Sequence, residues 1–145
     1  YYGLETDERV IIADINEDGR YLYPGTGFPQ ETGSGKARGT KLNIPLDPGS
    51  GDSEFMKAFE NVEAFIRKFR PELIFFQCGA DGMNGDPITQ LLYTSAAHSF
   101  AASRLHKLAH EICDGRIVAM GGGGYDPRNV DAAWTAVIRK LLEKE

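Results

Sequence analysis

Apolar and polar residues fall along this chain in periodic blocks separated by glycine-rich and proline-rich stretches. Residues 9–15 read Arg-Val-Ile-Ile-Ala-Asp-Ile, β-branched and mostly apolar, which predicts a buried strand. Residues 16–40 have no period; they carry Pro24, Pro29 and six glycines, with Tyr21 and Tyr23 among them, and predict a long ordered loop. A short strand at 41–44 is expected to end at Pro45. From Asp52 to Arg70 the apolar residues Phe55, Phe59, Val62, Ile66 and Phe69 step by four and by three, which lines one face of a helix. Asp52 is a good N-cap for it, and Pro71 is its stop. A second buried strand is predicted at 73–78, a polar loop at 79–93 and a helix at 95–113. A further strand at 116–120, a glycine loop at 121–127 and a last helix at about 129–143 complete the pattern.

Strands apolar on both faces, alternating with helices, predict a parallel sheet flanked by helices: an α/β fold. Composition agrees with this and narrows the function. With 145 residues, 41% apolar and 26% charged, the chain has the make-up of one ordinary globular unit with a real core. A formal charge of −5 argues against a nucleic-acid footprint, which needs a basic face. No apolar run approaches the ~18–20 residues of a membrane span, so no membrane partner is expected. Cys78 and Cys113 match no metal or redox spacing and read as buried free thiols, which fits a reducing, cytoplasmic setting.

Glycine changes the picture more, at 17 of 145 residues against a usual ~7%. In α/β sheets working residues collect at the carboxyl ends of strands. Two such ends here read Gly79-Ala80-Asp81, followed by Gly85-Asp86-Pro87, and Gly121-Gly122-Gly123-Gly124-Tyr125. If the two strands are neighbours, Asp81 and Tyr125 open onto one crevice. Asp81 also reads as a loop-capping carboxylate and Tyr125 as a packed tyrosine. The glycine run favours a site, because it lets a ligand approach the backbone closely. Phosphate motifs fail: Thr32-Gly33-Ser34-Gly35-Lys36-Ala37 lacks both the leading Gly and the closing Ser or Thr of a P-loop. The histidines also argue against a site of their own. His98, His106 and His110 share one predicted helix, where His106 and His110 fall on the watery side and His98 near the border of the apolar one.

Tyr23-Pro24-Gly25-Thr26-Gly27, Gly79-Ala80-Asp81 with Gly85-Asp86-Pro87, and Gly121-Gly122-Gly123-Gly124-Tyr125, in this order, resemble the zinc-dependent histone deacetylase family. Within it the likeness is to the prokaryotic acetoin-utilisation branch. The resemblance implies an arginase-like fold and hydrolysis of the amide of an acetylated lysine or acetylated small amine. It implies zinc as cofactor, with Asp81 as one ligand and Tyr125 as donor to the developing oxyanion. By the same resemblance Tyr23, Ile88, Gly123 and Gly124 line the acyl channel, and Asp14 helps to hold a monovalent cation, potassium.

The sequence departs from the family at two points. It contains no Asp-x-His, which carries the family's other zinc ligands, and Asn16 stands where relatives often have His. Residues 1–145 therefore read as one unit, the C-terminal half of the domain, with the upstream metal-binding half absent and no activity expected of the piece alone. The alternative is a non-catalytic binding or assembly module that keeps the fold and self-associates through an exposed sheet. An arginase-type metallohydrolase using Asp81 and Asp86 ranks last, because it leaves Tyr125 without a role.

Overall fold

A computed structural model describes residues 3–143 of the single unit expected over residues 1–145. The order is β1 (Ile12–Glu17), β2 (Lys41–Leu46), α1 (Asp52–Phe69), β3 (Ile74–Gln77), α2 (Ser95–Cys113), β4 (Ile117–Met120) and α3 (Pro127–Leu141), with one 3-10 turn at Gly35–Ala37. The strands are parallel, as the alternation predicts. They form two separate pairs: β1 with β2, from Ile12 beside Lys41 to Glu17 beside Leu46, and β3 with β4, from Ile74 beside Ile117 to Gln77 beside Met120.

Several boundaries differ from the sequence reading, three of them for a visible local reason. β1 starts at Ile12 and not Arg9, because residues 7–10 close a turn in which the Val10 N–H donates to the Asp7 carbonyl. β2 runs through Pro45. The ladder is set by Ile12 N–H on Thr40 O (3.1 Å) and Asp18 N–H on Leu46 O (2.9 Å), so alternation turns the Pro45 nitrogen to the outer edge, where a missing N–H breaks no bond. The last helix begins at Pro127, with Asp126 as N-cap accepting the Arg128 N–H at 2.8 Å. Proline suits that first position, since its absent N–H would have no partner there in any case. α1 ends as expected before Pro71, with Arg70 in the left-handed region at φ 47°.

All three helices lie behind the strands. Phe59, Val62, Ala101, Leu105 and Leu108 form one buried cluster on α1 and α2. Ala13, Ile15, Leu42 and Ile44 of the first strand pair pack on it, as do Phe76 and Ile117 of the second, so both pairs share one helical layer. The Asp52 carboxylate ties the starts of α1 and α2 together by accepting the Thr94 N–H (2.8 Å) and hydroxyl (2.6 Å). Cys78 and Cys113 are buried and unpaired.

The expectation that strands are buried on both faces fails in front. Phe75 is 64% exposed and Val118 45%. In front of β1 and β2, Lys41 is instead buried, its ammonium donating to the carbonyls of Val10 and Asp7 and to the Thr40 hydroxyl. Burial lowers the Lys41 pKa, and the nearby Asp7 carboxylate opposes this. No helix among the described residues is long and apolar enough to cross a membrane.

Candidate functional site

The carboxyl ends of β3 and β4 are joined by backbone: Cys78 N–H donates to Met120 O at 2.9 Å, and Ala80 N–H to Gly123 O at 2.6 Å. This zips the Gly79-Ala80-Asp81 turn against the glycine run, and glycine is needed for it. A Cβ on Gly123 would meet Asp81 Oδ2 at 1.9 Å; one on Gly122 would meet Gln77 Nε2 at 1.9 Å. Gly124 adopts φ +139°, which side chains rarely allow. The end of β4 is therefore moulded around the Asp81 carboxylate. Burial raises the Asp81 pKa, the N–H groups of Asp81 and Gly82 lower it, the Asp86 charge raises it and His98 lowers it.

His98 lies under this turn, not at the edge of α2. It is 8% exposed, and its Nε2–H donates to the Gly79 carbonyl at 2.9 Å, leaving Nδ1 buried without a partner among the described residues. The spacing along one helix puts His98 only at the border of its apolar side, because the cover comes from the turn after β3. His106 likewise departs from the watery face: its Nδ1 bonds the Lys140 carbonyl of α3 at 3.0 Å, and its ring stacks on His110.

Tyr125 stands just past the glycines and is 60% exposed. Among the described residues its phenol has no hydrogen-bond partner, while its N–H donates to Asp86 Oδ2 at 2.8 Å. Asp86 Oδ1 accepts the Ile88 N–H at 2.9 Å, so Ile88, itself exposed, hangs from the same carboxylate. Asp81, Gly123, Gly124, Tyr125 and Ile88 are thus brought to one strand-end cluster.

The other predicted residues come from β1. Asp14 keeps solvent access along its side chain, yet the surrounding protein raises its carboxyl pKa, and the Asp81 charge adds to the rise. The Asp81 charge acts on Asp14, so the two carboxylates lie within electrostatic range of each other. Asn16 lies against Gly27, where a Cβ would meet its Nδ2 at 2.7 Å, and Nδ2 donates to the Glu17 carbonyl at 2.9 Å. Among the described residues Asn16 Oδ1 and Glu17 Oε1 are buried without partners, while Glu17 Oε2 accepts the Gln90 N–H at 2.6 Å. Tyr23, beyond a cis bond to Pro24, is 93% exposed and makes no hydrogen bond or ring contact with Asp81, Ile88 or Tyr125. Sequence reasoning missed Glu17 and the double role of Asp86. The only signal for Asp86 was its Gly-Asp-Pro setting, which marks a side-chain-capped turn.

Catalytic zinc takes three protein ligands, and among the described residues no group of three His, Cys, Asp or Glu side chains could hold a metal. The described residues by themselves do not complete a zinc site.

The fold and this cluster define an α/β protein that carries its polar groups at the carboxyl ends of parallel strands, moulded by glycine. The family model "Histone deacetylase domain" matches residues 2–141, and the chain belongs to that family. It is 42% identical over 130 residues to the acetoin utilization protein AcuC of Bacillus subtilis, covering 88% of this chain and 34% of that one. In structure it resembles the HDA15 HD domain, with TM-score 0.87 and 31% identity, over 96% of this chain and 39% of that one. The acetylpolyamine aminohydrolase of Burkholderia pseudomallei shares the fold at TM-score 0.84 and 22% identity, over 95% of this chain and 39% of its own. The chain spans about a third of the length of the curated relatives it matches.

Proposed function

We propose that these residues are the C-terminal part of a zinc-dependent deacetylase domain that hydrolyses the amide of an acetylated lysine or acetylated small amine. The observation that carries this is the moulding of Gly123 around the Asp81 carboxylate, one residue pair from Tyr125. A backbone shaped to hold a carboxylate in a fixed place suits a metal ligand better than a capping group, which needs only an N–H. In this reading Asp81 contributes one ligand, and the others come from the family's Asp-x-His, outside this sequence. Zinc held by that complete set would supply Lewis-acid activation.

The chain's own residues then have defined tasks. The phenol of Tyr125, with no competing hydrogen-bond partner among the described residues, donates to the substrate carbonyl oxygen as it becomes an oxyanion. Gly123 and Gly124 let the acyl chain pass close to the backbone, with Tyr23 and Ile88 as its walls. Asp14, as part of a potassium site, belongs to the same reading. The piece alone is inactive, because it lacks the remaining metal ligands.

The test is made on the complete domain with an acetyl-lysine peptide and an acetylated diamine as substrates. Tyr125→Phe lowers kcat roughly 10²–10³-fold with KM little changed, the loss of one oxyanion donor. Unchanged turnover would contradict the role of Tyr125. The exposed Phe75 and Val118 favour a second reading, a non-catalytic assembly module. That reading requires a complete domain with no turnover on either substrate.

A further inference from the structure

Asp86 is 7% exposed and uses its two carboxylate oxygens on two different segments. Oδ1 accepts the Ile88 N–H at 2.9 Å, which is the ordinary side-chain turn of an Asp-Pro corner. Oδ2 accepts the Tyr125 N–H at 2.8 Å, and no local turn accounts for that bond, since Tyr125 follows a different strand. An ionised carboxylate accepts only, and its bonds to N–H groups are charge-assisted. Because the group is buried, water cannot take over either bond without rearrangement.

The need for such a bond is visible at Tyr125. Four glycines lead to it, none with a side chain to anchor the strand end, and the phenol has no hydrogen-bond partner among the described residues. The direction of the phenol therefore follows from the backbone at residue 125. That backbone is fixed from one side by Ala80 N–H on Gly123 O and from the other by the start of α3, whose Arg128 N–H bonds the Asp126 side chain. Between them the Tyr125 N–H has Asp86. The Asp86 turn is itself held, by Asp86 N–H on Met83 O at 3.1 Å and by Asn129 of α3 on Asn84 O at 3.3 Å.

We propose that Asp86 is a positioning residue that sets the Tyr125 phenol and the Ile88 channel wall together from one buried carboxylate. The catalytic half of this inference rests on the oxyanion role given to Tyr125 above; the structural half does not.

Two measurements separate those halves. The first uses the ¹⁵N-labelled 145-residue chain and amide hydrogen exchange. In the wild type the Tyr125 and Ile88 amides both exchange at least tenfold more slowly than unstructured amides, and free exchange at Tyr125 overturns the tether without any variant being made. Asp86→Asn replaces one acceptor oxygen with a donor, so one of the two amides loses its protection while the helices keep theirs. Unchanged exchange at both overturns the proposal. The second is a double-mutant cycle in the complete domain. Asp86→Asn lowers kcat roughly ten- to hundredfold, the order of loss for a misplaced catalytic group. In a Tyr125→Phe background it lowers kcat no further, while any change of KM through Ile88 persists. Losses in kcat that multiply overturn the proposal, because Asp86 then acts independently of Tyr125. Full kcat in Tyr125→Phe alone overturns the oxyanion reading, and the exchange data still decide the tether.

Discussion

In front of β1 and β2, Lys41 and Asn43 project away from the helical layer, and the chain's own loop meets them: the Asn43 amide donates to the Glu31 carbonyl at 2.7 Å, and the Lys41 ammonium takes three oxygens. In front of β3 and β4 the equivalent positions are Phe75 and Val118, and solvent meets them. Both pairs rest on the same buried cluster of α1 and α2, so the helical backing is not what separates them. The first pair is finished on both faces by residues of this chain; the second is finished on one. Large apolar side chains are thus paired across a parallel ladder and left bare. That agrees with a chain spanning about a third of its relatives' length.

The contrast can be broken by substitution. Lys41→Ala strands the Val10 and Asp7 carbonyls, and it should lower unfolding stability by about 1–3 kcal/mol in urea melts. A loss below about 0.5 kcal/mol would mean that the front of the first pair is not held by that ammonium. The opposite is expected across the molecule. Phe75→Glu with Val118→Lys changes stability within about 0.5 kcal/mol, as surface substitutions do. It should nevertheless abolish self-association of the chain in sedimentation velocity. A wild type that is monomeric at high concentration would remove the face from the account.

The smallest effect is at α3, behind the second pair. The Arg128 guanidinium, and after it the Arg128 N–H, pull the Asp126 pKa down to about 2. A carboxylate depressed in the folded state stabilises it above the ordinary carboxylate pKa, and that contribution is lost as pH falls from about 4 towards 2. The thermal midpoint of the wild type should fall more steeply over that window than that of Asp126→Asn, which keeps a capping oxygen without the charge. Equal slopes would show that the ion pair contributes nothing.

Much of this was readable in the residues. The three helices stand within two residues of their periodic patterns, because four-and-three spacing, caps and Pro71 act locally. Asp81, the glycine run and Tyr125 were found from their place after apolar strands, and the structure gathers them. What the sequence hid depends on partners distant along the chain. The burial of His98 needs the Gly79 turn, that of Lys41 needs the Val10 carbonyl, and the second bond of Asp86 needs Tyr125. The bare front of β3 and β4 was hidden for another reason. A strand apolar on both faces reads as buried whether the cover comes from this chain or from elsewhere.

The central claim is that this chain holds one part of a metal site and lacks the rest. Zinc per chain, measured by elemental mass spectrometry on the purified 145-residue protein after dialysis, tests it most directly. The account predicts a value near zero, since Asp81 alone cannot retain the ion. A value near one would contradict it, and would mean that the remaining ligands lie within this chain or come from a second copy of it.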